Sequence, residues 1–517
     1  MLDRIIQECI RIIIEPICEA KFYPHSYGFR PYRAQKHAVK DVVHAINCTA
    51  KPEDKPVFAL EGDIKACFDT INHRLLLQKL WKMGMHDKRI LTIIKQMLSA
   101  GYIDHDIYHK IEIGTMQGGI LSPLLSNVYL NDFDWYVGRQ YYEPHRKCKY
   151  KANDARRLRQ LGATRKYNVR YADDWIILTS TQSEALRLKR NLTKYFKYRL
   201  KLELSDEKTK ITNLRKEGAD FLGFVVRAEP RRNSKDGSLV GKPFPNMKKL
   251  SVKISKLCDE ICTLKKLKLD NLKVAQIHYI NSVIMGISEY IKTAICSMAF
   301  KAIDYRVNES CFYTWKRMYS DSYMEKKIKL RQLSNIPHRH EKYNDKTFGI
   351  YYEGYWIGIT KAYITHSQHE KLSFNQNISP YTAIGRRLHI SKSNRERPLP
   401  LNRPSINTPE SFKMVIYKES IYNFEYLMNR EYAFNRDKWK CRCCGDNLSY
   451  RDDRNCHHVD TSLPIDKINK VHNLAWVCVS CHEMIHGSPI PENLETKTKK
   501  KIMKMQERLN KAKSVSK

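Results

Sequence analysis

Apolar positions change their period along the chain, and the changes outline its elements. In LDRIIQECIRIIIEPICEA (2–20) they recur at helical spacing, with Asp3, Arg4, Glu8, Arg11 and Glu15 between them. That pattern predicts a core-facing helix, not a signal peptide. VFALEGDIKACFD (57–69) begins as a strand and ends on Asp63. HRLLLQKLWKMG (73–84) and KRILTIIKQMLSAG (88–101) return to helical spacing, each closed by glycine. GTMQGGILSPLLSNVYLNDFDWYV (114–137) is a glycine-rich turn running into an apolar helix. In NVRYADDWIILTS (168–180), β-branched and aromatic residues flank Ala-Asp-Asp and predict a hairpin turning there.

A basic helix follows over 184–200, then strand-like KLELSDEKTKI (201–211) and DFLGFVV (220–226). The polar, basic stretch 228–256 suggests a boundary before three amphipathic helices in 257–320. Beyond about 325 come short aromatic pieces such as FGIYYEGYWIGI (348–359) and the proline-spaced RERPLPLNRPSINTPE (395–410), which reads as a linker. A Cys/His segment fills 435–487, and the basic tail 496–517 reads as frayed.

Composition adds a partner and a compartment. The 517 residues are enough for several domains. Lys and Arg number 92 against 55 Asp and Glu, a net charge of +37, which favours nucleic acid over any other polyanion. No stretch approaches 18 consecutive apolar residues, so no membrane partner is expected. The 15 cysteines are odd in number and follow no secretory signal, which points to the cytosol.

Asp173 and Asp174 are like charges side by side at a hairpin tip, and Asp63 ends another predicted strand. Aspartate is a common turn residue, so two unrelated turns would also account for them. Carboxylates gathered at strand ends repel unless a cation compensates them. Two Mg²⁺ ions bridging Asp63 and Asp173 would do so, and could hold a triphosphate in line with a 3′-hydroxyl.

DIKACFDTINH (63–73), GTMQGGILSPLLSNVYLNDFD (114–134), RYADD (170–174), LSDEKTKI (204–211) and FLGF (221–224) occur in this order. At these spacings they resemble the reverse-transcriptase blocks of bacterial group II intron-encoded proteins. The resemblance extends back through 3–33 and forward through 257–320, which looks like the thumb or maturase domain. It implies RNA-templated DNA synthesis, with Asp63 and Asp173 as metal ligands and Asp174 in support. Phe68 matches the gate that excludes a 2′-hydroxyl. Gln117, Gly118 and Gly119 match the loop that approaches the incoming nucleotide, and Lys208 a lysine that neutralises pyrophosphate. The chain departs at Met116, where the family usually has proline. It also opens where family members are already inside the fingers, so truncated fingers are expected.

In KWKCRCCGDNLSYRDDRNCHHVDTSLPIDKINKVHNLAWVCVSCHEMIHG (438–487), Cys441/Cys444 and Cys478/Cys481 form two Cys-x-x-Cys pairs, which fit a structural Zn²⁺ site. Cys443 has the wrong spacing to replace one of them. His482 and His486 share one helix face and can hold one metal. The adjacent His457 and His458 would point opposite ways on a strand, and so divide into ligand and base. A zinc ribbon that only binds DNA is the plainer reading. The constellation resembles HNH (ββα-metal) nucleases, commonly fused to these reverse transcriptases. By that resemblance His457, His482 and His486 bind one Mg²⁺ or Mn²⁺, His458 activates water, and Asn473 orients His458.

The expected fold is α+β and multidomain. Right-hand fingers and palm with an antiparallel palm sheet occupy 1–245, and an α-helical thumb 246–325. A linker and DNA-binding region follows at 326–430, a small zinc-stabilised HNH domain at 431–490, and a basic tail at 491–517. The expected function is a bacterial, cytoplasmic reverse transcriptase/maturase with an HNH endonuclease, working in splicing and target-primed retrohoming. Its partners would be group II intron RNA, target DNA and deoxynucleoside triphosphates. The alternative is an RNA-binding maturase that does not polymerise and keeps only the nuclease.

Overall fold

A computed structural model describes residues 2–48, 55–104, 107–109, 113–115, 118–142, 156, 158, 160, 161, 164–231, 238–352, 354–369, 372–393, 420–422, 424–448 and 454–515. Gln117, Met116, most of the basic loop at 145–167 and the linker at 395–410 lie outside these residues. The chain divides into two compact units, the first comprising Met1–Asn246, Thr293–Cys296 and Ser367–Ser393.

In the first unit, helices α1 (Leu2–Glu19) and α2 (Gln35–Asn47) precede strand β1 (Phe58–Gly62). Helices α3 (His73–Lys82) and α4 (Lys88–Ser99) start where Asn72 and Asp87 accept backbone N–H bonds, each covering a donor the first turn leaves open. Helix α5 (Ser122–Val137) is apolar nearly all round and is buried accordingly, with Leu124, Val128, Phe133 and Val137 in the core. Strands β2 (Tyr167–Tyr171) and β3 (Asp174–Thr179) form the expected hairpin, followed by α6 (Gln182–Tyr195) and β4 (Lys210–Asn213).

These strands make one antiparallel sheet in the order β2-β3-β1-β4. Its inner face packs Leu60, Trp175 and Ile177 against α5 and α6. A meander of β5 (Ala219–Phe221), β6 (Phe224–Pro230) and β7 (Leu239–Pro245) completes the run to Asn246.

The reading of 326–430 as linker and DNA-binding region is corrected here, because residues 367–393 belong to the first unit. Tyr381 donates to Glu15, Gln376 accepts from Arg33 at 2.9 Å, and Phe374 meets Tyr27 edge-on. His389, on the helix Ala383–Ser393, stacks on Tyr32 with ring centroids 3.8 Å apart.

In the second unit, α7 (Met247–Thr263), α8 (Asp270–Ile291) and α9 (Ser297–Tyr319) are the three expected helices. Strands β8 (Lys327–Lys329), β9 (Lys346–Tyr352) and β10 (Tyr355–Gly358) form a sheet bound to them. Trp315 donates to the Gly349 carbonyl, Asn281 to that of Gly358, and Asp304 accepts the N–H groups of Ala362 and Tyr363. This sheet is part of the helical body.

His278 of α8 is 2 % exposed, and burial lowers its pKa from 6.5 to about 3. The unfolded chain therefore takes up this proton first, so the stability it carries is complete above pH 6.5 and lost as pH falls towards 3. Lowering the pH from 7.5 to 5 should cost about 2 kcal/mol through this residue. Urea unfolding at the two pH values checks this. A His278→Leu variant with an unchanged pH slope would refute it.

The rest of this unit holds α10 (Phe424–Arg436), β11 (Arg454–His458), β12 (Leu474–Cys478), α11 (Val479–Ile485) and α12 (Thr496–Val515). Here the frayed-tail reading fails. Ile502, Met505 and Leu509 of α12 are buried in one core with Phe434, Trp476 and Ile485, so the domain runs well beyond 431–490 at both ends. Among the described residues no helix is long and apolar enough to cross a membrane.

Candidate active sites

Register places the first site. Gly62 pairs with Trp175, and Tyr171 with Asp174 across the hairpin. Asp63 therefore leaves β1 at the end of the sheet where Asp173 and Asp174 turn. Residues 203–205 lash that end down: Lys65 N–H donates to the Glu203 carbonyl and Ser205 N–H to that of Asp63, both at 2.9 Å. Lys208 Nζ reaches Asp63 Oδ2 at 2.9 Å, and its pKa is raised by that bond first and then by the charges of Asp174 and Asp173. The three carboxylates do not close to within 4.8 Å of one another as a trio. Lys208 contacts Asp63 directly and feels the other two carboxylates as charges.

The hairpin turn is fixed from beneath. Ala172 adopts φ 57, a left-handed conformation that needs support. Its carbonyl accepts from Arg170 Nη1 at 2.7 Å, and Arg170 is clamped by Asp134 at 2.7–3.0 Å and by Asn127 at 2.9 Å. Arg170 and Asp134 are 1 % and 0 % exposed. Gly28 lies against the same turn, where a Cβ would stand 2.2 Å from the Ala172 nitrogen. Only glycine permits that approach.

Phe68 sits in the short turn Cys67–Asp69, and its carbonyl accepts from Thr115 N–H at 2.7 Å. That bond brings Thr115, at the start of the glycine-rich turn, beside Phe68. Gly118 follows, exposed at φ 83 with open space where a side chain would be. The donor set of two or three carboxylates, half-buried or exposed beside an open loop, suits a hard divalent cation such as Mg²⁺.

The second site has two clusters. Cys441, Cys444, Cys478 and Cys481 bring their Sγ atoms within 4.8 Å of one another. Cys478 caps the start of α11 and Cys481 lies in its first turn, while Gly445 closes the opposite knuckle by donating to the Cys441 carbonyl at 2.9 Å. Hydrogen bonds from Cys443 and Cys481 push the Cys441 thiol far down, whereas burial first pushes Cys444 up and the Cys441 contact first pushes Cys481 up. One thiolate thus suppresses its neighbours, and a divalent cation is what four thiolates at this spacing need. Cys443 stays outside the four, packed against Met505 Sδ at 3.8 Å.

The ring nitrogens of His457, His482 and His486 form the other cluster, also within 4.8 Å. His457 is buried, its pKa lowered to about 4 by burial first, and its Nε2 has no hydrogen-bond partner. A neutral, buried, unpartnered imidazole nitrogen facing two others is a metal-ligand arrangement.

His458 points the other way, onto Tyr426 and Tyr422. His458 lies apart from the three ligand candidates, as strand alternation implies. One expectation changes there. Asn473 does not orient His458. Asn473 bonds backbone instead, accepting from Asp460 N–H and donating to the carbonyls of Asp460 and Ile468. The partner of His458 Nε2 is Asn469 Oδ1 at 2.8 Å, a residue the sequence reading missed. Asn469 Nδ2 donates to the Ile421 carbonyl, which can only accept, so Oδ1 must face the ring. His458 therefore carries its proton on Nε2 and its lone pair on Nδ1.

Residues 1–226 match the family described as reverse transcriptase (RNA-dependent DNA polymerase). Protein YkfC of Escherichia coli is 35% identical over 242 residues, 44% of this chain and 62% of that protein. The group II intron-encoded protein LtrA of Lactococcus lactis is 34% identical over 265 residues, 44% of this chain and 43% of that protein. The chain thus spans less than two thirds of either relative. A likeness to telomerase from Candida tropicalis, at TM-score 0.35, 13% identity, and 62% and 51% coverage, is too loose to add to this. Residues 1–226 thus match the reverse-transcriptase family, and over this part the chain is similar to a group II intron-encoded protein.

Proposed function

We propose that the chain copies RNA into DNA at the Asp63–Asp173 site and nicks DNA at the His457–His482–His486 site, as a mobile group II intron protein does. The observation that carries the polymerase reading is the convergence of Asp63, Asp173, Asp174 and Lys208 at one sheet end. Asp63 and Asp173 would hold Mg²⁺, and Asp174 adds negative charge behind them. Bound there, the two ions would activate the primer 3′-hydroxyl and stabilise the departing pyrophosphate. Lys208, held protonated by the acids, neutralises the triphosphate and can protonate the leaving group. Phe68 excludes a 2′-hydroxyl, and the Gly118 backbone admits the nucleotide closely. Gln117, by resemblance, lines the same loop.

In the C-terminal part Zn²⁺ would be structural, held by Cys441, Cys444, Cys478 and Cys481. One divalent ion on the three histidines would stabilise charge on the scissile phosphate. By resemblance His458 would be the base for the attacking water, and Asn469 fixes the tautomer that leaves its proton on Nε2. The partners are group II intron RNA, target DNA and deoxynucleoside triphosphates, with the +37 charge supplying non-specific affinity. The nicked strand's 3′-hydroxyl would prime copying of the intron.

Primer extension on an RNA template with Mg²⁺ tests the polymerase. The chain should extend the primer and its Asp173→Ala variant should not. If neither extends while both bind RNA, the non-polymerising maturase with a nuclease becomes the reading.

A further inference from the structure

We propose that Phe29 is a positioning residue for sugar selection, holding the Phe68 ring in its gate orientation; this rests on the polymerase reading. Phe29 adopts φ 56, the left-handed region that side chains avoid, yet the residue is 51% exposed. Neither the backbone nor burial recommends a phenylalanine there.

The surroundings nonetheless fix that conformation from both sides. Gly28, just before it, lies against the Ala172 turn and gives its carbonyl to Asn127 at 2.8 Å. Arg30, just after it, is 6 % exposed and bonds Glu19 and the carbonyls of Tyr23 and Ser26. A buried network thus holds an exposed, strained aromatic residue in place. Such strain persists only where its surroundings over-determine it, and it concentrates at functional sites.

What the ring meets is Phe68, edge to face, with centroids 6.4 Å apart and planes at 74°. Tyr32 is a parallel case. It too has a positive φ, 62, but stacks closely on His389. Phe29 has Phe68 in the same sense, and Phe68 is only half-buried. A gate that can swing aside discriminates poorly, and the edge contact with Phe29 opposes the swing.

Single-nucleotide extension with a deoxynucleotide and the matching ribonucleotide tests this on the full chain, alongside thermal unfolding. Phe29→Gly keeps the backbone conformation and removes the ring. It should leave the unfolding midpoint unchanged or raised, because glycine relieves the left-handed strain. It should also lower selectivity for the deoxynucleotide about fivefold, the size of one aromatic edge contact, with KM rising more than kcat falls. Phe29→Tyr should restore selectivity. Wild-type selectivity in the glycine variant, or a tyrosine variant as impaired as glycine, overturns the inference alone. No extension by the unsubstituted chain overturns the polymerase reading and this one with it.

Discussion

Arg170→Ala is expected to destabilise the first unit by about 3–5 kcal/mol and to abolish primer extension. The guanidinium is wholly buried and divides its donors among Asp134, Asn127 and the Ala172 carbonyl. Removing it strands a carboxylate at zero exposure. Burial already pushes the Asp134 carboxyl up, and without Arg170 nothing of opposite charge among its direct partners opposes that. The Asp173–Asp174 turn also loses the donor that holds Ala172 at its positive φ. Arg170→Lys should fail as well, since an ammonium cannot reproduce the fork.

The informative variant is the double one, Arg170→Met with Asp134→Leu. Replacing both charges by apolar groups is often nearly neutral for stability, so the fold should recover. Extension should not, because the turn remains unsupported. Urea unfolding and primer extension on all four proteins decide this. Arg170→Ala with wild-type stability would show that the pair is not what holds the turn.

Chelation of the second unit, or Cys478→Ser, should unfold the region from Phe424 to Leu509 and end DNA nicking while leaving primer extension intact. A structural Zn²⁺ in a small domain contributes on the order of 10 kcal/mol of apparent folding free energy at neutral pH. The effect should spread because the ligands are structural joints. Cys478 ends β12 and caps α11, and β12 pairs with the strand carrying His457 and His458. Loss of the joint releases the histidines and the core around Trp476. Hydrogen exchange over 454–485 with and without chelator is the measurement. Unchanged protection there would mean that the apolar core alone suffices.

Which parts were legible in the sequence follows from the distances over which the chain had to be read. The Asp-Asp hairpin, the glycine-closed helices and the Cys-x-x-Cys pairs announce themselves within a dozen residues. The three-histidine cluster was legible too, because i, i+4 spacing and strand alternation are local rules. By contrast Arg170 meets Asp134 and Asn127, and Phe29 meets Phe68, across 36 to 43 residues. No local period marks such pairs. Asn469 and Asn473 share one turn, and only the Ile421 carbonyl tells which amide faces His458. The C-terminal helix was misread for another reason. Ile502, Met505 and Leu509 keep a helical period, but the surrounding lysines dominated the impression. Residues 327–366 were misread because short strands gain their identity from the helices that cover them.

The return of residues 367–393 to the first unit bears on how the protein can be made. Tyr381 bonds Glu15 across 366 positions, so the first unit cannot close until the ribosome has passed residues 247–366. Synthesis at ~5–20 residues per second leaves the α1 face and the Tyr27 loop without these covers for tens of seconds. During that interval a nascent chain rich in lysine and arginine is already being offered to the RNA around it.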